Sequence, residues 1–237
     1  MRLLVTRPEP DAQALAGELR ALGHDPVLQP LLEFHRVAFD VDRLRDAQAI
    51  VITSGNSLRA LQETPGFERI AGAPFYCVGD ETARRAQSIG LRTLLATAEN
   101  AEQLAARIVS SARKDGALVH LTGEHQAFDL AGALQREGLL IETVPVYSME
   151  ASREFAPQVE RMLKAHEIDG VILMSPRTAA IYVSLCHRHG IADCAKTPLY
   201  LCLSDNVAAK LASLKPQRVR ISGKPNRKAL LELLQTG

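Results

Sequence analysis

Between Pro74 and Gly90 the chain reads P-F-Y-C-V-G-D-E-T-A-R-R-A-Q-S-I-G. Phe75 to Val78 is an apolar run too short for a helix. Bounded by Pro74 and Gly79, it predicts a buried strand. Gly79-Asp80 supplies the sharp exit: glycine tolerates a positive φ, and aspartate is a good helix cap. Thr82 to Ser88 then predicts a helix that Gly90 closes. A strand, a glycine turn and a helix start leave unpaired backbone N–H groups converging on one spot, a geometry that binds anions.

The same pattern returns at Pro198-Leu-Tyr-Leu-Cys-Leu-Ser-Asp-Asn-Val, with one extra residue in the strand. Tyr76 and Tyr200 stand 124 residues apart, and Asp80 and Asp205 stand 125 apart. Two further blocks keep a similar spacing. Ala49-Ile-Val-Ile-Thr-Ser-Gly resembles Gly170-Val-Ile-Leu-Met-Ser-Pro, which sets Ser54 against Ser175, 121 residues on. The opening Leu4-Val-Thr-Arg-Pro, with Leu15-Ala-Gly, Leu19, Gly23 and Pro30, resembles Leu121-Thr-Gly, with Leu130-Ala-Gly, Leu134, Gly138 and Pro145. Matched blocks in one order point to an internal duplication with a unit of half the chain.

At 237 residues the chain suits one large domain or two smaller ones, and the repeat favours two. Apolar residues make up 46% and there is no Trp, an ordinary globular composition. A formal net charge of +1 gives no global field to recruit nucleic acid or an acidic membrane, so an anionic ligand must be met locally. No apolar run reaches membrane-spanning length, and Leu3-Leu4-Val5 reads as a strand with no signal peptide before it. A cytoplasmic protein is expected. Cys77, Cys186, Cys194 and Cys202 form no C-x-x-C pair and are expected to be reduced, packed thiols.

Taken in order, strands are predicted at residues 2–6, 26–30, 49–52, 75–78, 92–95, 117–121, 141–148, 171–174, 199–203 and 218–221. Helices are predicted at 12–22, 41–48, 57–61, 82–88, from Asn100 onward, and at 127–137, 158–166, 177–187, 207–214 and 227–234. Leu31–Phe39 and Met149–Pro157 read as polar connectors. Regular strand–helix alternation predicts an α/β fold, Rossmann-like or flavodoxin-like, with parallel sheets covered on both faces.

Hydroxyls recur at strand ends: Thr6, Thr53, Ser54, Thr82, Thr122 and Ser175. In open α/β sheets ligands bind at that edge. Each hydroxyl taken alone reads first as a helix cap; six at corresponding edges favour a site, and a cap is compatible with an anion contact. Arg7 is either a bidentate carboxylate clamp or a solvated loop charge. Tyr147 is either a packing tyrosine or an O–H donor facing a ligand. The histidines, His120 and His125 among them, read as surface and loop residues and form no metal set. Motifs for phosphate-binding loops, dinucleotide folds, serine hydrolases and zinc proteases are absent from the sequence.

These blocks together resemble the uroporphyrinogen III synthase family. The resemblance rests on Leu4-Val-Thr-Arg-Pro with Leu15-Ala, Leu19, Gly23 and Pro30, then Ile52-Thr-Ser54, then Val78-Gly-Asp-Glu-Thr-Ala83 with Gly90. It continues through Gly123, Leu130, Leu134, Gly138 and Val146-Tyr147 to Met174-Ser-Pro176. It implies two α/β lobes joined by a two-stranded linker. The first lobe is residues 1–35 and 150–237, the second is 36–149, and the connectors lie near 31–39 and 144–153. It implies a lyase that closes the linear tetrapyrrole hydroxymethylbilane into uroporphyrinogen III, with loss of water and inversion of ring D. Such enzymes use no metal or organic cofactor. A monomer acting on a small molecule, without nucleic acid or membrane, is expected.

On this resemblance Tyr147 assists the leaving hydroxyl. Thr6, Arg7, Thr53, Ser54, Thr82, Ser175 and the amides near Gly79 hold substrate carboxylates, with Asn206 standing where the second glycine turn lacks its threonine. Two departures touch those contacts. Ser204-Asp-Asn-Val replaces Gly-x-x-Thr, and the loop from Thr122 places Glu124 where an anion would lie. They leave open a second reading, a non-catalytic two-lobed module binding a tetrapyrrole or small anion.

Overall fold

A computed structural model describes residues 1–124 and 128–235. The chain divides into two compact units. One is Met1–Phe34 together with the segment from Glu150 onward; the other is His35–Met149.

The first unit is built on a five-stranded sheet in the order β11 (Arg218–Ile221), β10 (Leu199–Cys202), β9 (Gly170–Leu173), β1 (Arg2–Val5), β2 (Asp25–Leu28). Every neighbouring pair is parallel. Strands β9 and β10 are buried at every position, as expected where helices cover both faces of a parallel sheet. Tyr182 and Tyr200 anchor the core with rings edge to face, 5.9 Å between centroids. The Tyr200 hydroxyl donates to the Ala195 carbonyl at 2.6 Å, which satisfies it in a site without water access.

In the second unit β8 (Leu140–Ala151), β7 (Ala117–Gly123), β4 (Ala49–Ile52), β5 (Pro74–Val78) and β6 (Thr93–Ala98) lie side by side. They too are parallel throughout. The outer neighbour of β8 is β3 (Leu32–Arg36). Strands β3 and β8 are the two places where the chain passes from one unit to the other.

The sequence pairs set β1 against β7, β4 against β9 and β5 against β10. The two sheets run in matching order under that pairing: β2-β1-β9-β10-β11 in one and β8-β7-β4-β5-β6 in the other. The paired serines behave alike as well. Ser54 opens helix α2 (Gly55–Gln62) at φ −147°, ψ 140°, and Ser175 opens α7 (Pro176–Arg188) at φ −147°, ψ 150°.

Two expectations are corrected. Val41–Gln48 is not a helix; only a 3₁₀ turn forms at Val41–Leu44. Its two buried residues, Val41 and Leu44, are three apart, the period of a 3₁₀ turn. Gln48 is drawn away to the far loop, donating to Arg113 O at 2.9 Å and accepting from Arg113 N at 3.0 Å. The helix expected over 207–214 breaks into α8 (Asp205–Ala209) and a 3₁₀ turn at Ala212–Leu214. In the connectors, β3 occupies most of one and β8 runs on to Ala151 in the other. The helix predicted from Ala127 is described as α5 (Leu130–Arg136), capped by Asp129. Ala127 itself and His125 lie outside the described residues.

All four cysteines are free thiols, and only Cys194 among them is not fully buried. Burial pushes the Cys186 and Cys202 thiols up to about 12 and Cys77 to about 11, which keeps them protonated and unreactive at neutral pH.

Candidate functional site

Side chains at the C-terminal ends of four adjacent strands of the second unit make one rim. Tyr147 belongs to β8, Thr122 and Gly123 to β7, Thr53 and Ser54 follow β4, and Gly79 follows β5. Three strand spacings separate the ends of that row, about 14 Å. Helix α3 (Asp80–Ser88) starts at one end of the row and α2 near its middle.

Each position has a local cause. Along β8, Val144, Val146 and Ser148 are buried, so strict alternation turns Tyr147 to the opposite face, where it is half-buried. The register between β7 and β8 slips between Thr122 and Gly123, a bulge that sets Gly123 opposite Tyr147. Glu124 is exposed, and its backbone N–H donates to the Tyr147 carbonyl at 3.1 Å.

Gly79 has φ +83°, a conformation that side chains avoid, and it leads straight into α3. That helix start carries no side-chain cap. Its first amides are therefore open to a ligand, and Thr82 Oγ1 stands beside them, 3.7 Å from the place a Cβ would occupy on Gly79. Ser54 does cap its helix, accepting from Asn56 N at 3.2 Å. Arg85 of α3 reaches across to the α2 start, with Nη1 3.9 Å from the Cβ position of Gly55. Among the described residues its guanidinium has no ion-pair partner. It is a cation that sequence reasoning overlooked, because only the packing of α3 on α2 brings it there.

Thr53 shares a 3.0 Å hydrogen bond with His120 Nε2. His120 corrects the expectation of surface histidines: it lies in β7, 2% exposed. Burial holds its pKa down at about 4, so the ring is neutral at pH 7.

In the first unit the predicted residues are handled differently. Thr6 is 1% exposed and its hydroxyl donates to Ile172 O at 2.7 Å, tying β1 to β9. Arg7 pairs with Asp11, the first residue of α1 (Asp11–Ala21). Ser175 accepts from Thr178 N at 3.1 Å, and its hydroxyl lies 2.7 Å from that of Thr178. Asn206 is exposed on the short α8, whose Ser204 makes no capping bond. Among the described residues no group of three His, Cys, Asp or Glu side chains is placed to hold a metal ion. No helix of the described residues is long and apolar enough to cross a membrane.

Uncapped amides, hydroxyls, a cation and a tyrosine share one sheet edge with the carboxylates of Asp80, Glu81 and Glu124, at the side of an α/β sheet where ligands bind. Two solved structures share the fold. Uroporphyrinogen-III synthetase from Helicobacter pylori 26695 is 15% identical with a TM-score of 0.66, over 99% of this chain and 98% of that one. A mutant uroporphyrinogen III synthase from the extremely thermophilic bacterium Thermus thermophilus is 16% identical with a TM-score of 0.55, over 99% and 97%. Curated protein sequences give no match. The family model described as Uroporphyrinogen-III synthase HemD matches residues 13–232. The chain belongs to the uroporphyrinogen-III synthase family, lyases of haem biosynthesis that act on a tetrapyrrole.

Proposed function

We propose that the rim of the second unit carries the chemistry of the family reaction, with Tyr147 as the group that assists the departing hydroxyl. The chain closes hydroxymethylbilane into uroporphyrinogen III with loss of water and inversion of ring D. The substrate supplies its own reactive carbon, so the protein's work is to hold a flexible polyanion in one geometry and stabilise the leaving group. Thr53, Ser54, Thr82 and the amides after Gly79 accept carboxylates in the second unit. Ser175, Asn206 and Arg7 do so in the first, Arg7 by exchanging Asp11 for a substrate carboxylate. Thr6 acts indirectly, by fixing the strand that carries Arg7. The observation that supports this reading best is the sheet order, which sets Tyr147, Thr53 and Gly79 on neighbouring strand ends of one sheet.

The test is a coupled assay on freshly made hydroxymethylbilane. Uroporphyrinogen III is expected. Exclusive formation of isomer I, the product of closure without ring inversion, would leave only the non-catalytic binding module. We further propose that the enzyme works as a monomer in the cytoplasm; light scattering at assay concentration should return the mass of one chain.

A further inference from the structure

We propose that His120 is a positioning residue that makes the Thr53 hydroxyl an obligatory donor toward substrate. The inference rests on the reading of Thr53 as a carboxylate contact. His120 sits in the middle of the sheet, its register partners Val51 of β4 and Thr143 of β8. Its Nε2 is 3.0 Å from Thr53 Oγ1, while its Nδ1 is buried with no hydrogen-bond partner among the described residues.

Those two facts choose the tautomer. A proton on Nδ1 would leave a buried N–H donor without an acceptor, the costlier kind of unsatisfied group. A proton on Nε2 leaves only a bare lone pair at Nδ1 and gives Thr53 a donor to accept from. The charged ring is excluded by burial, which keeps the pKa near 4. With the Nε2–H donating inward, one Thr53 lone pair is taken and its own proton has to point to an acceptor elsewhere. Among the described residues Oγ1 has no other hydrogen-bond partner. A carboxylate is acceptor-only and meets that proton. The opposite tautomer would draw the Thr53 proton inward and turn oxygen lone pairs toward an anion.

Imidazole ¹⁵N–¹H correlation spectra of the whole protein read the tautomer directly, and protonated Nε2 is expected. Kinetics read the consequence. His120→Leu should raise KM for hydroxymethylbilane about fivefold with kcat little changed. His120→Gln, whose amide N–H still reaches Thr53, should stay within about twofold of the parent. In a Thr53→Val background His120→Leu should leave KM where Thr53→Val alone put it. A proton on Nδ1 would overturn the inference while leaving the Thr53 contact intact. An equal rise of KM in both backgrounds would overturn it too, as a purely structural effect. If Thr53→Val leaves KM unchanged, the contact reading falls and the inference falls with it.

Discussion

The ring of Tyr147 fills the space that a side chain on Gly123 would need: a Cβ there would stand 2.7 Å from Tyr147 Cζ and 3.0 Å from its hydroxyl oxygen. The bulge in the β7–β8 register brings the two residues opposite each other. Gly123 thus works as the seat of the tyrosine ring. Gly123→Ala should push the end of that ring aside, because the colliding atoms belong to a side chain that can turn. Stability should fall by only about 1 kcal/mol, and turnover by tenfold or more, since a displacement of about 1 Å at a reacting group can cost about a hundredfold. Urea midpoints and kcat, measured on the same preparation, check the split. Undiminished kcat would show that the ring's place has no bearing on the reaction.

Removing the hydroxyl alone is the complementary test. Tyr147→Phe keeps the ring in its seat and deletes the donor. Assistance to a leaving group by a positioned donor is worth about a hundredfold or more, and kcat should fall accordingly. Thermal stability should stay within about 1–2 kcal/mol, because the ring is half-buried on the face away from Val144 and Val146. A Tyr147→Phe enzyme with parental kcat would take the tyrosine out of the mechanism.

His120 predicts a pH dependence of stability. Its pKa is lowered from 6.5 to about 4 by burial, so the folded chain refuses a proton that the unfolded chain accepts. Above pH 6.5 both states are neutral there and nothing changes. As pH falls from 6.5 toward 4 the unfolded state gains protons first, and stability is lost by an amount approaching about 3 kcal/mol. Urea denaturation at pH 7 and pH 5 should show the loss in the parent chain. The His120→Gln chain should show less of it by most of that amount. Parallel slopes in the two proteins would mean that His120 is protonated in the folded state.

What the sequence made legible was local. Gly79 needs a positive φ between a strand and a helix, and the glycine followed by Asp80 says so. Ser54 and Ser175 cap helices because they stand between an apolar strand and the next helical run. What stayed hidden depends on partners far along the chain. The Thr6 hydroxyl is taken by Ile172, 166 residues away, so a residue that reads as a strand-end donor has no donor left to offer. His120, in the strand predicted at 117–121, reads from sequence as a surface histidine. Yet β7 is covered on both faces, and no alternation in its sequence separates an inward from an outward position. The 41–48 segment has helical composition but too short an apolar stripe to bury, and tertiary ties decide it.

The role of Arg85 is electrostatic and can be separated from the others by salt. The guanidinium stands at the start of α2 beside Gly55, exposed to solvent, where the helix end already favours negative charge. A substrate rich in carboxylates should be drawn there from solution. Arg85→Gln should raise KM several-fold at low ionic strength, leave kcat nearly unchanged, and flatten the dependence of KM on salt. At about 0.5 M salt the parent and the variant should converge, since screening already removes most of what the charge provides. Folding should be unaffected, as an exposed cation with no ion-pair partner among the described residues holds no other group in place. Initial rates over a substrate series at low and high salt measure all of this. Identical KM values for the two proteins at low salt would place Arg85 outside the substrate's reach and confine the contacts to hydroxyls and amides.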